Sequence, residues 1–216
     1  MKFFADTASV KKIAELKTIN LVNGVTTNPS LILKEGKDFH KIAREICSLV
    51  SGPVSLEVSS TSIKEMRVEA NKLIEISDNV VVKLPLTWDG LKLCRELSDK
   101  GIKVNMTLCF TLNQALLAAK AGSHFVSPFV GRLDDSNIDG IELIKKIRIT
   151  YDNYQFNTKI LAASIRSQEH IERCALVGAD AITAPPEILH VMADHPLTEK
   201  GLAKFLEDWA KSNQKI

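Results

Sequence analysis

The chain has 216 residues, of which 45% are hydrophobic and 25% charged, with a net charge of +2. These proportions exclude a disordered chain and allow a substantial core. A near balance of 28 Lys and Arg against 26 Asp and Glu gives no support to a nucleic-acid binder, which carries a basic surplus, but it leaves room for small phosphorylated ligands.

In chain order, short β-branched runs alternate with longer helical patterns. Strands are expected at Lys2–Asp6, Val22–Thr27, Val54–Val58, Val80–Leu84, Lys103–Leu108, His124–Phe129, Lys159–Ser164 and Asp180–Ala184. Between them, Phe39, Ile42, Ala43, Ile46 and Leu49 fall on one helix face, as do Met66, Ala70, Leu73 and Ile74, and then Leu112, Ala115, Leu116 and Ala119. Gly101, Gly122 and Gly178 stand just before strands, where helix C-caps belong. Eight such units average about 27 residues each, compact for a parallel (β/α)8 TIM barrel. No Pro-, Gly- or Ser-rich linker divides the chain, so residues 1–216 are expected to form one α/β barrel domain. The rival fold, an open doubly wound sheet, normally shows fewer strands and often a glycine-rich phosphate loop; no Gly-x-Gly-x-x-Gly or Walker loop occurs. After the eighth unit, Leu202, Phe205, Leu206 and Trp209 form a stripe behind Thr198 as cap. An extra helix over residues 198–212 is therefore expected, its stripe covered by the barrel or by a neighbouring subunit.

No apolar run approaches the roughly 20 residues of a membrane span, and Met1–Asp6 lack a secretory apolar region. A cytoplasmic protein with no membrane partner is the expectation. Cys47, Cys94, Cys109 and Cys174 form no Cys-x-x-Cys pair and read as core thiols. His40, His124, His170, His190 and His195 include no His-x-x-x-His pair and read as structural, so no metal is expected.

Barrel enzymes carry their chemistry at the C-terminal ends of the strands. Those ends hold Asp6, Thr26 with Thr27 and Asn28, Glu57, Lys83, Asn105 with Thr107, Ser127 with Arg132, and Ser164 with Arg166. Lys83 interrupts the apolar run Val80-Val81-Val82 before Leu84-Pro85. Desolvation there disfavours the ammonium relative to the neutral amine, which attacks a carbonyl to form a Schiff base. Taken alone, Lys83 is equally a lysine whose ammonium reaches solvent or pairs with a carboxylate. Glu57 and Asp6 each end an apolar strand and offer the proton transfers that Schiff-base chemistry needs, or else a salt bridge to Lys83. Arg132, Ser164 and Arg166 follow the sixth and seventh strands, where barrel phosphate sites often form; the arginines alternatively pair with Asp134, Asp135 or Glu169. Thr26, Thr27, Asn28, Asn105 and Thr107 match the hydroxyls of a polyol, although Thr27-Asn28-Pro29-Ser30 also makes a good helix start.

The joint pattern is more specific than its parts. Asp6-Thr7-Ala8, Gly24-Val25-Thr26-Thr27-Asn28-Pro29-Ser30-Leu31, Glu57-Val58, Val82-Lys83-Leu84-Pro85, Thr87-Trp88-Asp89-Gly90, Asn105-Met106-Thr107-Leu108, Ser127-Pro128-Phe129-Val130-Gly131-Arg132 and Ala162-Ala163-Ser164-Ile165-Arg166 occur in this order. Over essentially the whole chain this resembles the transaldolase family. The length and the ending Gly178-Ala179-Asp180-Ala181-Ile182-Thr183-Ala184-Pro185-Pro186 resemble its small bacterial and archaeal branch, which also holds fructose-6-phosphate aldolases. The resemblance implies catalysis without a cofactor. Lys83 is the Schiff-base nucleophile and Asp6 the proton acceptor, while Glu57 and Thr107 act through a water. Asn28, Asn105 and Ser127, with Thr26, face the dihydroxyacetone hydroxyls, and Arg132, Ser164 and Arg166 hold the phosphate. It also implies sugar-phosphate substrates and a homo-oligomer, a pentamer or decamer with the terminal helix reaching a neighbour. The aldolases of this branch typically carry Gln in place of Glu57 and Tyr in place of Phe129, so the resemblance favours transfer over net aldol cleavage. A non-catalytic barrel that binds sugar phosphates is the distant alternative.

Overall fold

The computed structural model describes residues 1–36 and 38–212. Strands and helices follow one another as β1 (Lys2–Asp6), α1 (Val10–Lys17), β2 (Gly24–Thr26), α2 (Pro29–Glu35), α3 (Phe39–Leu49), β3 (Val54–Glu57), α4 (Ile63–Ile74), β4 (Val80–Pro85), α5 (Trp88–Asp99) and β5 (Val104–Cys109). The second half continues as α6 (Leu112–Lys120), β6 (Phe125–Pro128), α7 (Val130–Asp134), α8 (Gly140–Asn153), β7 (Lys159–Ala162), α9 (Gln168–Leu176), β8 (Ala181–Ala184), α10 (Pro186–His190) and α11 (Pro196–Ser212). All neighbouring strands are parallel, and β8 returns to pair with β1, closing the barrel.

Closure divides the apolar residues into two sets. Outward-facing strand residues such as Val82, Leu84, Val104 and Met106 pack under the helices with Ile42, Ile46, Met66, Leu97 and Ile144. A separate inner cluster of Phe4, Val81, Phe125, Leu161 and Ala181 plugs the barrel itself. Phe4 and Phe125 meet edge to face there, with ring centroids 5.6 Å apart. Strands buried on both faces read as continuous apolar runs, which is why β4 shows Val80-Val81-Val82 without alternation.

The helix stripes lie as their spacing predicts, with Ile42, Ala43, Ile46, Met66, Ala70, Leu73, Ala115 and Ala119 buried. Gly101, Gly122 and Gly178 follow α5, α6 and α9 in left-handed conformation, with φ of 77°, 81° and 83°. The four cysteines are buried, and burial pushes their thiols up, Cys47 to about 11 and Cys94, Cys109 and Cys174 to about 12. They stay neutral core residues.

Strand ends differ from expectation by up to two residues, and β2 and the terminal helix show why. Strand β2 spans only Gly24–Thr26, because Val22 and Asn23 still belong to the incoming loop, where Asn23 N–H donates to Phe3 O and Asn23 Oδ1 accepts from Phe3 N–H. The terminal helix begins at Pro196, two residues before the expected 198–212 segment. Thr198 lies inside its first turn, its N–H donating to His195 O, and so is not the cap. Helix α11 buries none of its residues: Leu202, Phe205, Leu206 and Trp209 remain 58%, 72%, 63% and 45% exposed. Among the described residues no helix is long and apolar enough to cross a membrane.

Gly24 packs closely against the Phe4 ring of the plug. A Cβ there would stand 2.6 Å from two Phe4 ring carbons and 2.7 Å from Pro53 O. Gly24→Ala should therefore destabilise the barrel by about 1–3 kcal/mol through overpacking. Urea unfolding should show a lower midpoint at an unchanged m-value.

Candidate active site

Period-two alternation carries each strand from the plug into a polar tier. On β1 the inward residues are Phe4 and then Asp6, on β4 Val81 and Lys83, on β6 Phe125 and Ser127, and on β8 Ala181 and Thr183. The first of each pair is apolar and seals the barrel below. The second lines a cavity of about 150 Å³ in the mouth above, together with Thr26, Asn28, Thr107, Phe129, Arg132, Ala163 and Ser164.

Lys83 is 7% exposed. Its Nζ lies 3.0 Å from Glu57 Oε2, and it donates to Thr27 O at 3.1 Å. The register makes the pair inevitable, since Glu57 and Lys83 are directly opposed on β3 and β4. Both alternatives raised by the sequence are thus partly realised: the lysine is buried, and it is paired. Glu57 reaches the amine from the side of a second, larger cavity of about 620 Å³, which it lines with Thr27, Asn28, Val58, Phe39 and Leu73.

Asp6 faces the same cavity as Lys83. Burial pushes its carboxyl above the ordinary carboxylate range, and the Thr26 hydroxyl and the Lys83 charge only partly offset this. Thr26 Oγ1 donates to Asp6 Oδ1 at 2.7 Å and stands 2.6 Å from Thr183 Oγ1. With the Thr26 hydrogen committed to Asp6, Thr183 is the donor of the second bond. This relay from β8 through β2 to β1 fixes the carboxylate.

On β5, Asn105 stands opposite Lys83 in the register, is fully buried and does not line the cavity. Its Nδ2 donates to Ser55 Oγ at 3.3 Å, and its Oδ1 accepts from Ser127 Oγ at 2.8 Å. Thr107 presents a buried hydroxyl with no partner among the described residues, into the same cavity as Lys83. The β5–β6 register shifts between Met106 and Cys109, with Leu108 in left-handed conformation at φ 59° and turned outward. Such bulges re-aim side chains beside sites. Asn28 caps α2, its Oδ1 accepting from Leu31 N–H at 3.0 Å, which leaves its amide nitrogen free to face the cavity.

The cationic end is assembled from α7 and the β7–α9 loop. The Arg132 guanidinium lies over the Phe129 ring, 5.2 Å from its centroid, at the cavity wall with Ser164. Arg166 does not line the cavity. Its guanidinium pairs with Asp135 at the rim, half exposed, the pairing that the sequence left open. Gly131 permits this arrangement, because a Cβ there would meet Ser164 O at 2.4 Å and Arg166 Nε at 2.8 Å.

Sequence reading missed Thr183, Ser55 and the role of Phe129. The signal for the first two was available: counting in twos from Ala181 reaches Thr183, and counting back in twos from Glu57 reaches Ser55.

A carboxyl whose pKa is raised by folding weakens the fold as pH climbs through that raised value, since the unfolded state then releases the proton more readily. Asp6→Asn should therefore be more stable than the native chain at neutral pH. The margin should shrink on acidification and close below the unfolded carboxylate range near 3.8. Thermal unfolding of both proteins across a pH series reads this directly, and a margin independent of pH would contradict it.

Comparison with known proteins fits this geometry. Residues 3–216 match the family described as Transaldolase/Fructose-6-phosphate aldolase. The chain is 60% identical to a probable transaldolase of Roseobacter denitrificans and 61% identical to one of Dinoroseobacter shibae, in both cases over the full length of both chains. A probable transaldolase of Brucella ovis is 59% identical over the same span. Among solved structures, thiamine phosphate pyrophosphorylase from Pyrococcus furiosus superposes with a TM-score of 0.58 over 85% of each chain at 14% identity, a likeness of fold alone. The chain therefore belongs to the transaldolase/fructose-6-phosphate aldolase family.

Proposed function

We propose that the protein is a transaldolase that moves a dihydroxyacetone unit from sedoheptulose 7-phosphate to glyceraldehyde 3-phosphate, giving erythrose 4-phosphate and fructose 6-phosphate. The observation that carries this reading is a buried lysine paired with one carboxylate and sharing its cavity with a second, desolvated one.

Lys83 Nζ, after passing a proton to Glu57, attacks the ketone carbon of the donor. The carbinolamine loses water to form an iminium, with Glu57 moving the proton through a water held by the unpartnered Thr107 hydroxyl. Asp6, fixed by Thr26, then takes the proton of the C4 hydroxyl. The C3–C4 bond breaks, its electron pair passes into the iminium to give an enamine, and the aldose leaves. The enamine carbon attacks the aldehyde of the acceptor, and the new alkoxide recovers the proton from Asp6. Water at the iminium carbon, activated by Glu57, releases the product and restores the lysine. Asn28 and Ser127 face the hydroxyls of the retained unit, the buried Asn105 holds Ser127 from behind and does not itself reach them, and Arg132, Ser164 and Arg166 face the phosphate. For Arg166 this requires the guanidinium to exchange Asp135 for the ligand, a short step for an exposed side chain. The iminium is the electron sink of the cleavage, and the acceptor carbonyl oxygen that of the addition.

Fructose-6-phosphate aldolase activity is the second reading. Glu57 and Phe129 favour transfer, since Phe129 offers no hydroxyl beside the enamine and serves instead as the platform for Arg132. The reading implies a cytoplasmic enzyme of sugar phosphates, with neither nucleic acid nor membrane as partner. The uncovered stripe of α11 supports a pentamer or decamer in which this helix docks on a neighbouring subunit.

Borohydride added with fructose 6-phosphate should attach the three-carbon unit to Lys83, located by peptide mass. An adduct elsewhere, or none, would falsify the nucleophile assignment. Lys83→Ala should lower kcat by about a thousandfold or more. Fructose 6-phosphate alone should release little dihydroxyacetone, and adding erythrose 4-phosphate should start turnover; rapid release without acceptor would select the aldolase reading. Light scattering should show the native oligomer and a smaller species for Phe205→Asp, whereas a native monomer would remove the assembly.

A further inference from the structure

The two elements that carry the cationic end are stitched together by a residue outside the cavity. Backbone bonds run from Val130 N–H to Ala163 O and from Gly131 N–H to Ser164 O, at 3.0 and 3.1 Å. They hold the start of the β7–α9 loop against α7. Beyond Ala163 the loop turns through Ser164 at φ 57°, a left-handed conformation that a serine adopts only when its surroundings hold it there.

His170 supplies that hold on the far side of the turn. It sits in the first turn of α9, where Ser167 Oγ accepts its backbone N–H at 3.1 Å. Its ring bends back so that Nδ1 accepts the Arg166 N–H at 3.3 Å. This bond places the ring hydrogen on Nε2. That nitrogen lies 3.0 Å from Asp134 Oδ2 on α7, two residues from Arg132. Asp134 is itself anchored, its Oδ1 accepting from Gly140 N–H at 2.9 Å. The imidazole is only 16% exposed. One ring therefore joins the backbone of Arg166 to the helix of Arg132.

We propose that His170 is a positioning residue of the phosphate end of the site, setting the spacing of Arg132, Ser164 and Arg166 by tying the Arg166 backbone to Asp134. The proposal rests on the reading that these three residues receive the substrate phosphate. His170 itself does not line the cavity, so it acts through the loop. An open loop would let Ser164 relax from its left-handed turn, and the hydroxyl would leave the cavity wall while Arg132 stayed over Phe129. The charge at the site would persist while its geometry was lost, so the loss falls on binding of the phosphate and not on the chemistry at Lys83.

The test compares acceptors with and without phosphate, using the full-length enzyme. His170→Ala should raise the KM for glyceraldehyde 3-phosphate, and the inhibition constant of inorganic phosphate, by about fivefold to tenfold with kcat within about twofold. Its KM for unphosphorylated glyceraldehyde should stay within about twofold of native. His170→Asn keeps an acceptor near the Nδ1 position for the Arg166 N–H but falls short of Asp134, and His170→Gln reaches Asp134 but not the Arg166 N–H. Each keeps half of the tie, so neither should recover the native affinity, and full recovery by either would overturn the tie. Should the alanine variant fail to fold, the asparagine and glutamine pair carries the same comparison. Equal losses for both acceptors, or no loss for either, would overturn the positioning role. The underlying reading has its own control: Arg132→Ala must weaken phosphate inhibition. If it does not, the phosphate end is misassigned, whatever His170 does.

Discussion

A lysine ammonium inside a closed barrel is the constraint around which the rest of the molecule is arranged. Removing Lys83 from water costs several kcal/mol unless charge and hydrogen bonds are returned to it. Glu57 returns the charge at 3.0 Å and the Thr27 carbonyl returns a bond at 3.1 Å. Neither partner is adjustable. Glu57 is set by the β3–β4 register, and the Thr27 carbonyl by the way the chain leaves β2, where Thr27 N–H and its hydroxyl both bond Ser55 O. A shift of one residue in either strand would send the charged side chain to the helix-facing side. The aromatic and aliphatic plug beneath supports those registers, because a slip of one residue would also turn Phe4, Val81 or Phe125 out of the barrel.

The polar tier follows from the same geometry. Once the inner face of each strand is apolar below, the next inward residue stands at the mouth, where polarity is tolerated only if hydrogen bonds are found. Asn105 finds Ser55 and Ser127, and Asp6 finds Thr26, which finds Thr183. These bonds cross between strands, so they also hold the side chains in place at the mouth. The Thr107 hydroxyl is left over. An unmade buried bond costs about 1–3 kcal/mol, which a substrate or water recovers on entering.

The barrel was legible in the sequence because parallel strands buried on both faces leave apolar runs, and because glycines mark the helix ends at Gly101, Gly122 and Gly178. The strand ends then exposed Lys83, Glu57 and Asp6, since a charge closing an apolar run has few bland explanations. Short uncharged residues were harder. Thr183 sits in Ala181-Ile182-Thr183-Ala184, where a threonine is an ordinary strand residue, and only the inner face of the closed barrel gives it meaning. Arg166 was legible as a cation near a phosphate-type loop, but its pairing with Asp135 depends on how α7 packs against that loop, across Gly131. His170 looked like a helix residue, which it is; its ring bends back two residues beyond the helix start, and no spacing rule announces that. The extent of α11 was nearly right, and its uncovered stripe follows from the absence of any barrel surface facing it.

The costs of this design are concentrated at the mouth. Asp6 is held in a desolvated place that disfavours its charge, Ser164 and Leu108 adopt left-handed backbone, and Thr107 lacks a partner. None of these features helps the fold, and each would be relieved by a simple substitution. What allows them is the barrel below, where both apolar clusters are complete and each strand pairs on both sides. The same division explains why a short chain suffices. The strand ends by themselves bring a buried lysine, two carboxylates and several hydroxyls together at one mouth. The segments from α7 to α9 add Arg132 at the wall of this mouth and Arg166 at its rim. Stability resides in the register, and reactivity in the single tier that the register holds one step above the apolar plug.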